Sequence, residues 1–239
     1  MSLPNFLCVG AQKSGTSTLH EILIQHPDIF LPKIKETHFF DNGEQRYSKG
    51  ISWYEKEYFS AVKKEKAVGE ISTNYMFLDY VPRRIFKDLG PDIKLVFMLR
   101  NPADRAVSQY MMNQRNFWEK DVLETAIAHE RDRIRKNESS KKRFSYIERG
   151  LYAKQIKRFM EYFPKEQMHF IIFETEFIPN REETIEKLCQ FLGISSYDFN
   201  LDIQKNVMRE PGSLILHRLI HDPGFSWLRK PFKLLVPAP

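Results

Sequence analysis

Three short, almost wholly apolar runs constrain what this chain can fold into: Phe6–Ala11 (FLCVGA), Ile93–Leu99 (IKLVFML) and Met168–Phe173 (MHFIIF). Polar residues do not alternate with apolar ones in these runs, so each reads as a strand buried on both faces. Ala67–Ile71 is a fourth, shorter candidate. Helical segments lie between them. Gly15–Gln25 carries Leu19, Ile22 and Leu23 on one face and stops at Pro27. Pro82–Leu89 has proline in its first turn and Gly90-Pro91 behind it. Asn101-Pro102 opens a helix toward Trp118, with Asn as cap and Pro at the first helical position. Val122–Arg135, Tyr146–Phe163 and Glu182–Leu192 are further helices, the second closed by Pro164 and the third by Gly193. Strands alternating with helices predict an α/β fold, a central parallel β-sheet flanked by helices. No repeat or low-complexity linker interrupts residues 1–239, which therefore read as a single domain.

Composition excludes several classes. The 239 residues are 42% hydrophobic and include nineteen Phe and ten Tyr, ample for a buried core. Cys8 and Cys189 are too few for a disulfide scaffold or a four-cysteine zinc site and read as buried free thiols. No apolar run approaches the ~20 residues of a membrane span. The N-terminus lacks the charged and apolar regions of a secretory signal, so the expected location is cytoplasmic. The abrupt end at Val236–Pro239 (VPAP) suggests a C-terminal truncation. The net charge is +6, and Arg131–Arg143 holds seven basic and two acidic residues. That stretch is either a solvated helix end with a mobile loop or a rim that attracts an anionic acceptor. It lacks the aromatic interleaving of a nucleic-acid platform, so nucleic acid is not an expected partner.

Ligands of parallel sheets bind beyond the C-terminal ends of the strands, which directs attention to three segments. The first strand is followed by Gly10-Ala-Gln-Lys13-Ser14-Gly15-Thr16-Ser17-Thr18, a G-x-x-x-x-G loop opening a helix. Its backbone N–H groups suit an oxyanion. A nucleotide-hydrolysing loop places lysine directly after the second glycine, but here that residue is Thr16 and the lysine lies inside the loop, at Lys13. No metal-holding Asp ends Ile93–Leu99 either: the next residue is Arg100. The phosphate cradle is present without an evident magnesium apparatus. In the second segment, Arg100 and Ser108 either share a phosphate or belong to ordinary surface ion pairing. Arg105 reads as structural, paired with Asp104 or another acid. The third segment, Leu31–Asp41 (LPKIKETHFFD), puts Glu36 and His38 on one side if it is extended. There a carboxylate can accept an acceptor's proton, or can simply face solvent.

Lys13–Leu19 (KSGTSTL) resembles the 5′-phosphosulfate loop of sulfotransferases that use 3′-phosphoadenosine 5′-phosphosulfate. The resemblance implies cofactor contacts from Lys13, Ser14, Gly15, Thr16, Ser17 and Thr18, with Lys13 at the bridging region. Arg100 and Ser108 match that family's 3′-phosphate pair. Lys35–Asp41 (KETHFFD) is similar to a segment of the heparan-sulfate type, whose glutamate is taken as general base. The carry-over falls on Glu36, supported by Lys35 and His38. Gly69–Tyr75 (GEISTNY) resembles another active-site segment, but Ile71 and Thr73 stand where that branch often has Lys and Pro. Tyr146–Tyr152 (YIERGLY) is similar to a stretch near the nucleotide or acceptor. Lys205–Arg209 corresponds to a late loop over the cofactor, adding Arg209. The resemblance runs from Pro4 to Glu210, and beyond it Leu214–Leu235 reads as a basic amphipathic helix pair.

The resemblance implies a P-loop-like sulfotransferase fold and transfer of a sulfuryl group, without a metal, to a hydroxyl or amine of a glycan or small natural product. Lys13, Glu36 and His38 would be catalytic. Two rival readings remain. A P-loop nucleotide kinase would bind ATP with magnesium, against which the displaced lysine argues. A non-catalytic anion- or glycan-binding module would use the basic stretch.

Overall fold

The structure is a computed structural model that describes residues 3–43 and 45–203. These fall into two compact units, a larger one of residues 3–105 and 147–203 and a smaller one of residues 106–146. In chain order the larger unit contains β1 (Phe6–Gly10), α1 (Thr16–Leu23), β2 (Ile29–Phe30), α2 (Ile51–Phe59), β3 (Ala67–Ile71), α3 (Val81–Leu89) and β4 (Lys94–Leu99). Helix α4 (Pro102–Arg115) starts here and continues into the smaller unit, which adds α5 (Leu123–Ala128), α6 (Glu130–Ile134) and α7 (Glu138–Phe144). The chain then returns through α8 (Tyr152–Met160), β5 (Met168–Ile172) and α9 (Arg181–Leu192).

The strands form one parallel sheet in the order β2-β3-β1-β4-β5. β1 is central, with Cys8 opposite Ile71 on one side and Val96 on the other. Its side chains divide between two apolar layers. Leu7 and Val9 join Phe97, Tyr54, Phe59, Ile85 and Phe159 under α2, α3 and α8. Phe6 and Cys8 join Val96, Met98, Leu19, Ile22, Ile185 and Leu188 under α1 and α9. Burial on both faces is why these strands lack alternation. Cys8 and Cys189 are free and buried, and burial pushes their thiols up to about 12 and about 11. No described helix is long and apolar enough to cross a membrane.

Asn101 caps α4 as expected, its Oδ1 accepting from Ala103 N at 2.9 Å and Asp104 N at 3.3 Å. Two other helices differ from expectation. Tyr146–Phe163 is helical only over α8, after a tighter turn at Glu148–Gly150. That break turns Arg149 into the interior and lets Gly150 approach Pro102, where a Cβ would stand 2.9 Å from the proline Cβ. Val122–Arg135 is interrupted at His129, and Glu130 is buried at the start of α6. β2 and α2 had no sequence signal, because one is two residues long and the other buries only Tyr54 and Phe59.

The Arg131–Arg143 stretch is mostly helical, where a loop was expected after a helix end. Most of its second half is α7, with Asn137 Oδ1 accepting from Ser140 N at 2.7 Å. Arg133 binds Glu119 and Asp121, Lys142 Nζ lies 2.7 Å from Glu138 Oε1, and Arg143 stacks 4.3 Å from the Trp118 ring centroid. The reason lies partly outside the window: Glu119 and Asp121 supply acids that a local charge count misses. Ala106, Tyr110, Ala126 and Tyr146 form the apolar centre of this unit.

One charged residue lies inside the core. Glu70 on β3 is fully buried, and burial raises its carboxyl to about 7 against the lowering effect of the Thr37 hydroxyl, which donates to it, and of the neighbouring Tyr75 and Tyr54 hydroxyls. A raised carboxyl contributes stability in full below the unfolded value, 4.5, and loses it as pH rises through about 7. Glu70→Gln removes that dependence. Urea unfolding of both proteins from pH 4.5 to 8.5 should show wild-type stability falling relative to the variant by about 3 kcal/mol across this range. A pH-independent difference would refute the assignment.

Candidate active site

The loop after β1 is built by close approach. Ala11 N donates to Met98 O at 2.6 Å, and Met76 N donates to Val9 O at 2.8 Å, tying the strand end to both neighbours. Lys13 adopts the left-handed conformation, φ 70°. Gly15 follows at φ 90° as the cap residue of α1, and a Cβ there would stand 2.8 Å from the Phe173 ring. No side chain caps α1, so its first amides stay available. Ser14 is fully buried, and its Oγ, like Gln12 Oε1, has no hydrogen-bond partner among the described residues. The Ser14 hydroxyl neighbours that of Tyr152 without a well-formed bond between them. Residues 13–18 thus occupy one loop and helix start, a cradle suited to an anion.

Arg100 fastens this cradle to the end of β4. Its guanidinium donates to Lys13 O at 3.1 Å and lies 5.0 Å from the Phe173 ring centroid. Its Nε is buried without a hydrogen bond among the described residues, 4.0 Å from Glu174 Oε1. Tyr152 OH donates to Arg100 O at 2.8 Å.

The Glu36 segment hangs from the end of β3. Glu36 N donates to Ile71 O at 3.1 Å. Glu36 Oε1 accepts from Lys35 Nζ at 3.0 Å and from Thr73 Oγ1 at 3.1 Å, while Oε2 lies 3.7 Å from His38 Nε2. His38 Nδ1 lies 3.0 Å from Asp41 Oδ2. Burial lowers the His38 imidazole, but the Asp41 hydrogen bond and the charges of Asp41 and Glu36 outweigh it and raise the group overall. Asp41 is held in turn by Asn74 Nδ2 at 2.8 Å, and Asn74 Oδ1 accepts from Arg149 at 2.7 Å. Burial and the neighbouring Arg105 bring Arg149 down to about 9, against the attraction of Glu36 and Asp41.

Glu36 and His38 face each other, as expected, but not by strand alternation. Both have left-handed backbones, φ 63° and 53°, so the segment is a coiled turn and not an extended strand. Thr73, which stands where the resembling branch has proline, supplies a hydroxyl to the Glu36 carboxylate. Ile71 is buried in the core and contributes only its carbonyl. Arg105 is wholly buried. Ser108 is buried on α4, in the smaller unit. Arg209, with Lys205–Arg209 and Leu214–Leu235, lies outside the described residues. Asn74 and Arg149 were not singled out beforehand as individual residues. Their signal was available, since each sits inside a motif already noted, GEISTNY and YIERGLY.

An anion cradle at the end of β1 and a carboxylate–imidazole–carboxylate set at the end of its neighbour β3 combine charge stabilisation with proton acceptance. Comparison with known proteins gives the family. A family model described as "Sulfotransferase domain" matches residues 3–213. Heparan sulfate glucosamine 3-O-sulfotransferase 5 of Mus musculus is 33% identical over 170 residues, 71% of this chain and 47% of the relative. Membrane-associated sulfotransferase kil1 of Dictyostelium discoideum is 26% identical, over 87% of this chain and 60% of its own length. A solved sulfotransferase from Alicyclobacillus acidocaldarius superimposes with a TM-score of 0.73 at 36% identity, covering 86% of this chain and 87% of that one.

The chain spans about half the length of the mouse relative. The cytoplasmic expectation is overturned by these relatives, which include a membrane-associated enzyme. It rested on the lack of an apolar span and a signal, and a chain matching only part of longer proteins carries no such information about the rest. The central parallel sheet with flanking helices expected from the sequence is the one found. With the domain match running through both the glycine loop and the Glu36 segment, this chain belongs to the sulfotransferase family.

Proposed function

We propose that this chain transfers a sulfuryl group from 3′-phosphoadenosine 5′-phosphosulfate to a hydroxyl or amine of an acceptor, a glycan or a small hydroxylated molecule. One observation carries the reading. An uncapped glycine loop with an internal lysine ends β1, and a Glu36–His38–Asp41 set hangs from β3, the strand hydrogen-bonded to it.

The residues present fit that nucleotide. The buried Ser14 hydroxyl, without a partner among the described residues, and the open amides of α1 suit a phosphate-type anion. Lys13, Gly15, Thr16, Ser17 and Thr18 would complete the 5′ side, and Arg100 would serve the 3′-phosphate. When bound, the group supplies an activated sulfuryl on a phosphate leaving group. Lys13 neutralises charge on the leaving side. Glu36 accepts the proton of the acceptor, and its two oxygens are already separated in role, Oε1 being held by Lys35 and Thr73 while Oε2 faces His38. Asp41 fixes His38 Nδ1, which turns Nε2 toward Glu36.

Arg100→Ala should weaken adenosine 3′,5′-bisphosphate by about 10- to 150-fold, the loss of one charge-assisted contact. Adenosine 5′-monophosphate serves as control, because Arg100 also holds Lys13 and general damage to the loop would weaken both. Calorimetric titration of the two nucleotides reads this directly, and equal binding of both by the wild type would sink the 3′-phosphate assignment.

Glu36→Gln keeps size and removes the base. Turnover of labelled sulfate across a panel of glycan and small phenolic acceptors should fall by about 10²–10⁴ in kcat with nucleotide affinity preserved. Lys13→Ala should damage both quantities, because charge on the phosphosulfate is present before reaction and grows during it. Full turnover by Glu36→Gln would move the base elsewhere.

A further inference from the structure

We propose that Glu70 is a positioning residue for the Glu36–His38 pair, acting through the hydroxyl of Thr37. The kinetic arm of this inference rests on the sulfuryl-transfer reading; its structural arm does not.

Thr37 stands between two residues with left-handed backbones, Glu36 at φ 63° and His38 at φ 53°. Neither is glycine, and each such conformation costs roughly 1–3 kcal/mol unless its surroundings hold it. Thr37 supplies the hold. It is wholly buried, and its Oγ1 donates to Glu70 Oε2 inside the core. The same hydroxyl lies 3.2 Å from Tyr75 OH. Tyr75 OH also accepts from Phe39 N at 3.0 Å and Phe40 N at 3.3 Å, which pins the chain on the far side of His38. From the opposite side, Arg46 donates to Thr37 O. The side chain of Thr37 thus points into the core while those of Glu36 and His38 meet each other past the carboxyl end of β3.

Glu70 is the rigid end of this arrangement. It lies within β3, opposite Leu7 in the ladder and flanked by the Gly69–Phe6 and Ile71–Cys8 pairs. A carboxyl in that position is costly and would serve stability better as an apolar residue. Nothing in the chemistry proposed above touches it. Its contact with Thr37 fixes the one residue whose neighbours on both sides carry the candidate proton-transfer groups. Sequence supports the same reading: Thr37 is the sole hydroxyl residue in Lys35–Asp41, and Glu70 the sole acid in Gly69–Tyr75.

The test separates the hydroxyl from the fold. Thr37→Val keeps shape and deletes the donor, Thr37→Ser keeps the donor, and Glu70→Ala deletes the acceptor. Thermal unfolding first establishes that each variant folds; if Glu70→Ala does not, the Thr37 pair decides alone. Thr37→Val should lower kcat by about 10- to 100-fold while adenosine 3′,5′-bisphosphate affinity stays within about twofold. Thr37→Ser should restore kcat to within about threefold of wild type. NMR titration of the His38 imidazole gives a readout independent of turnover. Its raised midpoint should fall back toward 6.5 in Thr37→Val and remain raised in Thr37→Ser. A Thr37→Val protein with wild-type kcat and an unmoved His38 midpoint overturns the inference, and so does equal loss in Thr37→Ser and Thr37→Val. If the wild type transfers no sulfate to any acceptor, the transfer reading fails, and the His38 titration still decides the role of Glu70.

Discussion

Parallel hydrogen bonding of β1 between β3 and β4 is the constraint on which the rest of this structure depends. It stacks the carboxyl ends of the three strands side by side. From those ends leave the glycine loop, the Ser72–Met76 turn that holds the Glu36 segment, and Arg100. A central strand buried on both faces cannot carry functional side chains of its own. Chemistry is therefore exported to the loops just past the strand ends, where each loop inherits the rigidity of the sheet. The bonds Ser72 N to Cys8 O, 3.0 Å, and Met76 N to Val9 O, 2.8 Å, extend the ladder beyond its last paired residue and carry that rigidity into the site.

The local consequence is strain concentrated where the chemistry is proposed. Lys13, Glu36 and His38 have left-handed backbones without being glycine, and all three were singled out for their side chains alone. Such conformations persist only where surroundings over-determine them. Here the surroundings can be named: Arg100 holds Lys13 by its carbonyl, and Ile71 O, Arg46, Glu70 and Tyr75 hold residues 36–39. Deeper still, Asn74 and Arg149 brace Asp41. Two buried ionisable groups, Glu70 and Arg149, end in contacts that lead to the Glu36–His38–Asp41 set.

Much of this was legible in the sequence, and the reason is range. Apolar runs without alternation, Pro and Gly punctuation, the Asn101 cap and the glycine spacing of residues 10–15 are all read within a window of a turn or two. They determine the strands β1, β3, β4 and β5, most helices, and the membership of the anion loop. The same windows miss the break in Tyr146–Phe163 and the ion pairs of Arg131–Arg143, because the partners, Asn74 for Arg149 and Glu119 and Asp121 for Arg133, lie outside them.

What only the tertiary structure decided is which distant residues meet. Thr37 and Glu70 are 33 positions apart and Asn74 and Arg149 are 75 apart, distances over which no local pattern carries information. The order β2-β3-β1-β4-β5 brings Thr37 and Glu70 together, because it pairs β2, which leads into the Thr37 segment, with the strand bearing Glu70. The left-handed turn at Glu36 and His38 is of the same kind. Alternation along an isolated segment predicts an extended chain, whereas a buried hydroxyl bonded to a carboxyl in the neighbouring strand stabilises the coiled one. Residue types in the sequence thus set what chemistry was available, and long-range hydrogen bonding in the core set the geometry in which it is offered.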